Sequence, residues 1–96
     1  MALAAEARVR AALDQVSSEV GTETVILSLG RGQYYGLNEV GTRVWQLLRE
    51  PRRIEEIRDA VLSEYDVDLE QCERDILALL ERLDAAGLLV ADDSPA

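Results

Sequence analysis

The segment from Gly32 to Trp45 restricts the fold more than any other part of the chain, because it joins a strand to a helix with almost no linker. Tyr34 and Tyr35 are β-favouring residues between glycines, and Asn38 is a preferred residue at a helix N-cap. Apolar side chains then recur at helical spacing. The segment therefore predicts a strand, an immediate turn and a helix.

The composition predicts one small domain with an aliphatic core. The chain has 96 residues, of which 48% are hydrophobic, and it lacks phenylalanine. No apolar run approaches the roughly 20 residues that span a bilayer, and the first residues lack the pattern of a signal peptide. We expect a cytoplasmic protein with no membrane partner.

The residue types disfavour catalysis. Cys72 is the only cysteine and there is no histidine, so the usual nitrogen and sulfur ligands of a metal are missing. Histidine is also the commonest general base. The 19 acidic residues are interpreted as solvating helix surfaces. We therefore expect no cofactor, no metal and no enzymatic activity.

The formal net charge of −9 disfavours nucleic acid as a partner, because a DNA-binding surface needs a basic footprint. All ten basic residues are arginines. Arg49, Arg52 and Arg53 cluster beside Pro51, and are interpreted as a solvated turn, with a small basic patch as the alternative. The rest of the chain is acidic, which favours partners such as peptides that carry lysine or arginine.

The first half of the chain predicts an antiparallel meander of three strands, followed by helices. Strands are expected from residue 15 to 20, from 23 to 29 and from 33 to 37, separated by short loops that contain glycine. Val25, Leu27 and Leu29 alternate with other residues, which predicts one strongly apolar strand face. Residues 1–14 are expected to form a frayed helix or extended arm, residues 15–90 the domain, and residues 91–96 a tail.

Three helices are predicted after the meander. The first should run from Asn38 to about Arg49, and the second from 54 to 65, although arginines stand where its cap is expected. Asp68 and Gln71 resemble a capping box for the third helix, and Gly87 ends it. The fold class is therefore α+β, a winged-helix-like domain in which a three-stranded sheet precedes three helices.

The third helix has a core face with polar flanks. Its core face is expected to contain Leu69, Cys72, Ile76, Leu79, Leu80 and Leu83. Asp75 and Arg82 lie one step off this face, where they could line a groove. Surface charges that pair along the helix are an equally good interpretation of either residue.

Strand 33–37 can be left at a sheet edge in so small a domain. An exposed edge offers N–H and C=O groups to a further strand, so a peptide could add there and place side chains in pockets beside the third helix. The sequence therefore favours a binding module.

The chain resembles the PqqD-like proteins, the precursor-peptide recognition elements of ribosomally made, post-translationally modified peptides. The resemblance is carried by the segment from Gly32 to Gly41, by Val44-Trp45, by Asp75, and by Leu83 with Gly87-Leu88-Leu89. It covers about residues 15 to 90 and is greatest to the free-standing leader-binding proteins of lasso-peptide biosynthesis.

The resemblance implies that a leader peptide lies as an added strand in the groove between strand 33–37 and the third helix, and is presented to a separate cysteine-protease-type leader peptidase. Lasso leaders of this family insert a tyrosine and a proline into an apolar pocket, and Asp75 would pair with a basic leader residue. The implied peptide-binding residues are Val25, Leu27, Gln33, Tyr34, Tyr35, Gly36, Leu37, Asp75, Ile76, Leu79, Arg82 and Leu83.

Two alternatives stay open. The same groove could present its peptide to a radical enzyme in quinone-cofactor synthesis, as a PqqD-type chaperone. The helices could also read DNA as a winged-helix regulator, although the third helix offers only Arg74 and Arg82 among many carboxylates.

Overall fold

The computed structural model describes residues 7–91, which form six strands and three helices. In chain order the elements are β1 (Arg8–Ala11), β2 (Gln15–Val20), β3 (Glu23–Ser28), β4 (Gln33–Leu37), α1 (Glu39–Leu47), β5 (Arg52–Arg53), α2 (Ile54–Glu64), α3 (Leu69–Ala85) and β6 (Leu89–Ala91). The predicted α+β class is confirmed. Within this part of the chain, no helix is both long and apolar enough to cross a membrane.

The predicted meander is present as an antiparallel sheet in the order β2-β3-β4. The β3–β4 loop is tight: the Gly32 N–H donates to the Ser28 carbonyl at 2.7 Å, and Gly32 has a φ of 64°, which favours glycine. This loop fixes the register in which Tyr35 pairs with Ile26 and Tyr34 pairs with Leu27.

The face of β3 that packs on the core is not its most apolar one. Thr24, Ile26 and Ser28 are buried, whereas Val25 and Leu29 on the other face are exposed. The reason is tertiary: α1 packs against β3, and Thr24 meets a threonine of that helix. The alternation correctly predicted a strand, but the side that faces solvent carries the larger apolar side chains.

A second antiparallel sheet, in the order β5-β1-β6, was not predicted. Val9 in its central strand is fully buried. Residues 8–11, expected to lie in a frayed helix or extended arm, form β1, and Ala91, expected in a tail, pairs with Val9 in β6. The expected turn at Arg52 and Arg53 is a two-residue strand. The predictions for residues 1–6 and 92–96 lie outside the described residues.

The helix ends follow local signals. The Asn38 side chain accepts from the Gly41 N–H at 2.9 Å and caps α1, while Asp68 accepts from the Gln71 N–H at 3.3 Å and caps α3. Arg53 occupies the N-cap position of α2, and its N–H donates to the Glu56 carboxylate at 2.9 Å. These bonds satisfy N–H groups that a helix end leaves without partners.

One core connects both sheets to all three helices. Its fully buried aliphatic side chains include Val9, Ile26, Val44, Leu48, Ile57, Leu80 and Leu88. The expected core face of α3 is buried at Cys72, Ile76, Leu80 and Leu83, but Leu69 is half exposed at the first turn. The core therefore holds α3 in place through these side chains, with part of its apolar surface left over.

Candidate functional site

Strand β4 is an edge strand within the described chain, because it pairs with β3 alone. Backbone groups of an antiparallel strand point alternately to its two sides. Half of the N–H and C=O groups of Gln33–Leu37 therefore point away from β3 and are open to a further strand.

A cavity of about 590 Å³ opens between this edge and α3. Its wall combines apolar and polar side chains, and the start of α1 and the end of α2 also contribute to it. Its lining residues are Gly36, Leu37, Asn38, Val40, Gly41, Val44, Val61, Val67, Gln71, Cys72, Asp75, Ile76, Ala78, Leu79 and Arg82.

A second cavity of about 340 Å³ continues toward the β3–β4 loop. It shares Leu37, Leu79 and Arg82 with the first, so the two cavities are parts of one depression along β4. Its lining residues are Arg31, Tyr35, Leu37, Leu79, Arg82, Leu83, Ala85 and Ala86. We call both cavities together the β4–α3 groove. It is open and lies beside the free edge of β4, which suits an extended peptide.

The polar side chains that α3 contributes to the groove are Gln71, Asp75 and Arg82, while Asn38 and Arg31 contribute from outside this helix. Asp75 is exposed, and its Oδ1 accepts from Gln71 Nε2 at 2.8 Å. The Gln71 Oε1 accepts in turn from Arg74 at 3.2 Å. Because Gln71 turns toward Asp75, the structure contains only the Asp68 half of the predicted capping box. The chain of bonds orients the Asp75 carboxylate at the groove rim.

Cys72 lies at the floor of the larger cavity and is buried. Its burial, together with the carboxylates of Asp75 and Glu73, raises the pKa of the thiol. A raised pKa keeps the thiol protonated near neutral pH, whereas a reactive cysteine needs its thiolate. Cys72 therefore contributes an apolar surface to the groove.

The structure places most of the predicted site residues together. Those that line the groove are Tyr35, Gly36, Leu37, Asp75, Ile76, Leu79, Arg82 and Leu83. Gln33 begins the open edge, and its Oε1 accepts from the Tyr35 hydroxyl at 2.9 Å. These residues come from two segments far apart in the chain, and the packing of α3 beside the sheet brings them together.

Three predicted pocket residues lie elsewhere. Val25, Leu27 and Tyr34 alternate with the buried side chains of their strands and lie on the opposite, outer face of the sheet. They do not line either cavity, so a contact between them and a bound peptide stays a prediction. The cause of their outer position is the face of β3 that α1 covers, which sequence alternation alone does not specify.

Several lining residues were not predicted as part of the site. Val40 and Val44 come from α1, Val61 from α2, and Val67 precedes α3. Val67 and Cys72 stand at the hydrophobic-staple positions of α3. This local pattern predicts that both side chains lie together at the N-terminal end of the helix. Nothing in the sequence pattern links Val61 to β4, because only the packing of α2 brings it there.

Comparison with known proteins adds independent findings. Residues 23–89 match the family model described as coenzyme PQQ synthesis protein D, PqqD. No match was found among the curated proteins.

Solved structures share this fold over almost the whole chain. TbiB1 in complex with the TbiA(beta) leader peptide is 38% identical, covers 91% of this chain and 99% of its own, and superposes with a TM-score of 0.77. Lasso peptide synthetase B1 complexed with the leader peptide is 26% identical, covers 85% of this chain and 96% of its own, and has a TM-score of 0.74.

The PqqD truncation of Methylobacterium extorquens PqqCD, described as a stand-alone recognition element of ribosomally synthesised and modified peptides, has the same fold. It is 20% identical, with a TM-score of 0.75, and covers 93% of this chain and 95% of its own. The family match over residues 23–89, together with a 38% identical structure that spans nearly the full chain, shows that this protein belongs to the PqqD family.

Proposed function

We propose that this chain binds the leader segment of a ribosomally made precursor peptide as a fourth strand beside β4. The observation that carries the proposal is the open edge of β4, which faces α3 across a continuous groove. An added strand would hydrogen-bond to the free backbone groups of residues 33–37, and affinity of this kind does not depend on the leader's side chains.

Side chains would supply the specificity. Alternate residues of the added strand would point into the groove, where Leu37, Ile76 and Leu79 offer apolar contacts. The cavities of about 590 and 340 Å³ are of a size that accepts bulky groups. The tyrosine and proline that the family resemblance implies would fit there.

Charge favours a basic residue in the leader. Asp75 is exposed at the rim and oriented by Gln71, so a lysine or arginine beside it would form a charge-assisted contact. The net charge of −9 would raise the rate of encounter with such a peptide. Both effects depend on ionic strength.

The two relatives solved with leader peptides support this proposal, since each matches at least 85% of this chain. We further propose that the chain is not itself an enzyme and that it presents the leader to a separate cysteine-protease-type leader peptidase in the cytoplasm. The protonated state of Cys72, the one thiol of the chain, agrees with a binding role.

A radical enzyme of quinone-cofactor synthesis is the second candidate partner, because the matching family model is described as a coenzyme PQQ synthesis protein. Both partners would use the same groove. A short precursor gene beside a cysteine-protease gene would favour the leader peptidase as partner, and a neighbouring radical-enzyme gene would favour the radical enzyme.

Strand addition can be tested with proline at successive positions of β4. Successive residues direct their N–H groups to opposite sides, so of Tyr34→Pro and Tyr35→Pro one removes a bond to β3 and the other a donor on the open edge. The variant with the smaller loss of folding stability should show the larger loss of leader affinity. Tyr35→Thr, which keeps β propensity, is the control for side-chain loss.

Fluorescence polarisation with a labelled leader gives the affinity, and urea unfolding gives the stability. If both folded proline variants bind the leader as tightly as wild type, addition at β4 is wrong. Mass spectrometry of the precursor after incubation with the chain tests the absence of catalysis: the mass should not change.

A further inference from the structure

The outer face of the β2-β3-β4 sheet, on the side away from α1, is apolar and open. Its exposed side chains include Val16 at 56%, Val20 at 66%, Val25 at 41%, Leu29 at 54% and Tyr34 at 72%. The register groups them, since Val16 pairs with Leu27 and Leu27 with Tyr34, which forms a row across all three strands. The apolar side chains are therefore contiguous.

This face carries few charged residues, although 30% of the residues in the chain are charged. By strand alternation its charged residues are Glu23, opposite Val20, and Asp14, whose carbonyl accepts from the Leu29 N–H at 3.2 Å. Both lie at the rim. Exposed apolar side chains that occur singly are ordinary, but a contiguous patch with a polar rim is typical of an interaction surface.

We infer that this outer face is the docking surface for the enzyme that processes the bound leader, an inference that rests on the proposed function. The groove and the outer face share β4. A leader added beside β4 would extend the sheet to four strands, and its alternate side chains would continue the row Val16–Leu27–Tyr34 on the outer side. A partner seated on this face would contact the chain and its peptide together.

The charge distribution selects a partner of different chemistry over a second copy of the chain. Two copies, each with a net charge of −9, repel one another, and both would bring Asp14 and Glu23 to the rim. A partner with an apolar patch and a basic rim complements the face instead. Such a partner would also avoid α3, whose groove side is left to the leader.

Neighbouring serines in β2 provide matched variants. Ser18 pairs with Val25 on the outer face, Ser17 pairs with the buried Ile26 on the inner side, and both are exposed. Ser18→Lys places a charge within the apolar patch, whereas Ser17→Lys adds the same charge to the same strand on the other side. Val20→Lys, at the strand end, is a second outer-face variant.

The assay measures leader cleavage by the purified cysteine-protease leader peptidase of the same gene cluster, with the chain and precursor present and the peptidase limiting. Ser18→Lys and Val20→Lys should lower the cleavage rate at least tenfold, and Ser17→Lys should leave it within twofold of wild type. Leader affinity by fluorescence polarisation should be unchanged in all three, because β2 is two strands from the groove.

Wild-type cleavage with both outer-face variants would overturn the inference, as would an equal loss in Ser17→Lys. Sedimentation that shows a wild-type dimer and a Ser18→Lys monomer with unaltered cleavage would also overturn it and assign the face to a second copy. Failure of the wild-type chain to bind the leader would overturn the proposed function itself, so the two failures are distinguishable.

Discussion

The Thr24 hydroxyl on β3 donates to the Thr42 hydroxyl on α1 at 2.8 Å, with both side chains buried. This hydrogen bond joins the sheet to the helix beneath it. It lies on the face of β3 that α1 covers, where Ile26 also joins the core, while Val25 on the other face is exposed.

Removing one hydroxyl should destabilise the fold more than removing both. Thr24→Val or Thr42→Val leaves a buried hydroxyl without this partner, which costs about 1–3 kcal/mol. The double variant should lose less stability than either single variant, since it leaves neither hydroxyl behind. Urea unfolding of wild type, the two single variants and the double variant measures the coupling between the two hydroxyls. Strictly additive losses of unfolding free energy would show that the bond contributes nothing.

Neutralising Asp75 should weaken leader binding in a salt-dependent way. Asp75→Asn removes the rim charge, and we expect a loss of about three- to fivefold at low salt, the scale of an exposed ion pair. The loss should shrink as salt rises, because screening already removes much of the carboxylate's effect. Fluorescence polarisation at two salt concentrations measures it.

Glu81→Gln is the matched control for Asp75, since it removes one negative charge from the exposed surface of α3 outside the groove. Equal effects of the two substitutions would assign the result to net charge alone. Wild-type affinity of Asp75→Asn at both salt concentrations would mean that Asp75 only solvates the helix.

Truncating Leu79 should weaken leader binding without salt dependence. Leu79 is partly buried and lines both cavities, so Leu79→Ala removes apolar contact along the groove. We expect a loss of about tenfold, which corresponds to ~1.4 kcal/mol. Circular dichroism must first show a folded variant. A loss that disappears at high salt would contradict an apolar role.

The Gly87 position should tolerate a side chain poorly. Gly87 has a φ of 75°, and the Leu88 N–H donates to the Leu83 carbonyl at 2.8 Å while Gly87 donates to Asp84 at 3.0 Å, the bonding pattern of a Schellman motif. Gly87→Ala should cost about 1–2 kcal/mol of folding stability, because alanine disfavours this conformation.

Gly36→Ala is the comparison for Gly87, since a methyl group there meets no atom within 4 Å and the backbone is not left-handed. It should be neutral or slightly stabilising. Thermal melts of both variants test the pair, and equal losses would contradict the conformational explanation.

Acid should remove the stabilisation that comes from Arg43 and Glu64. Arg43 donates to both oxygens of Glu64 at 2.8 and 3.0 Å, and this bonding lowers the pKa of Glu64. A lowered pKa in the folded state means that the contribution is present above the unfolded pKa and lost as pH falls through the folded one.

Urea unfolding of wild type and Glu64→Gln from neutral pH to below the ordinary glutamate range measures this contribution. The variant should lose less stability on acidification than wild type. Arg43→Gln should reduce the pH dependence of unfolding stability over the same range. The double variant should reduce it no further. A wild-type pH dependence in Glu64→Gln would contradict the assignment.

Local features of this protein were determined by the sequence alone. Asn38, Asp68 and Gly87 mark helix ends because their effects depend on atoms within a few residues along the chain. The three strands of the meander follow for the same reason, since glycine loops and period-two alternation are local signals. Strand β4 and α3 supply the groove residues that could be predicted, whereas Val40, Val44 and Val61, from α1 and α2, could not.

Only the tertiary structure decided which faces are used and which distant segments pair. Val9 pairs with both Arg52 and Ala91, and no local pattern specifies pairing over such separations. The buried face of β3 is the one on which α1 packs, so Val25 faces outward despite its apolar side chain. Alternation gives a strand its two faces, but the packing partner decides which of them is covered.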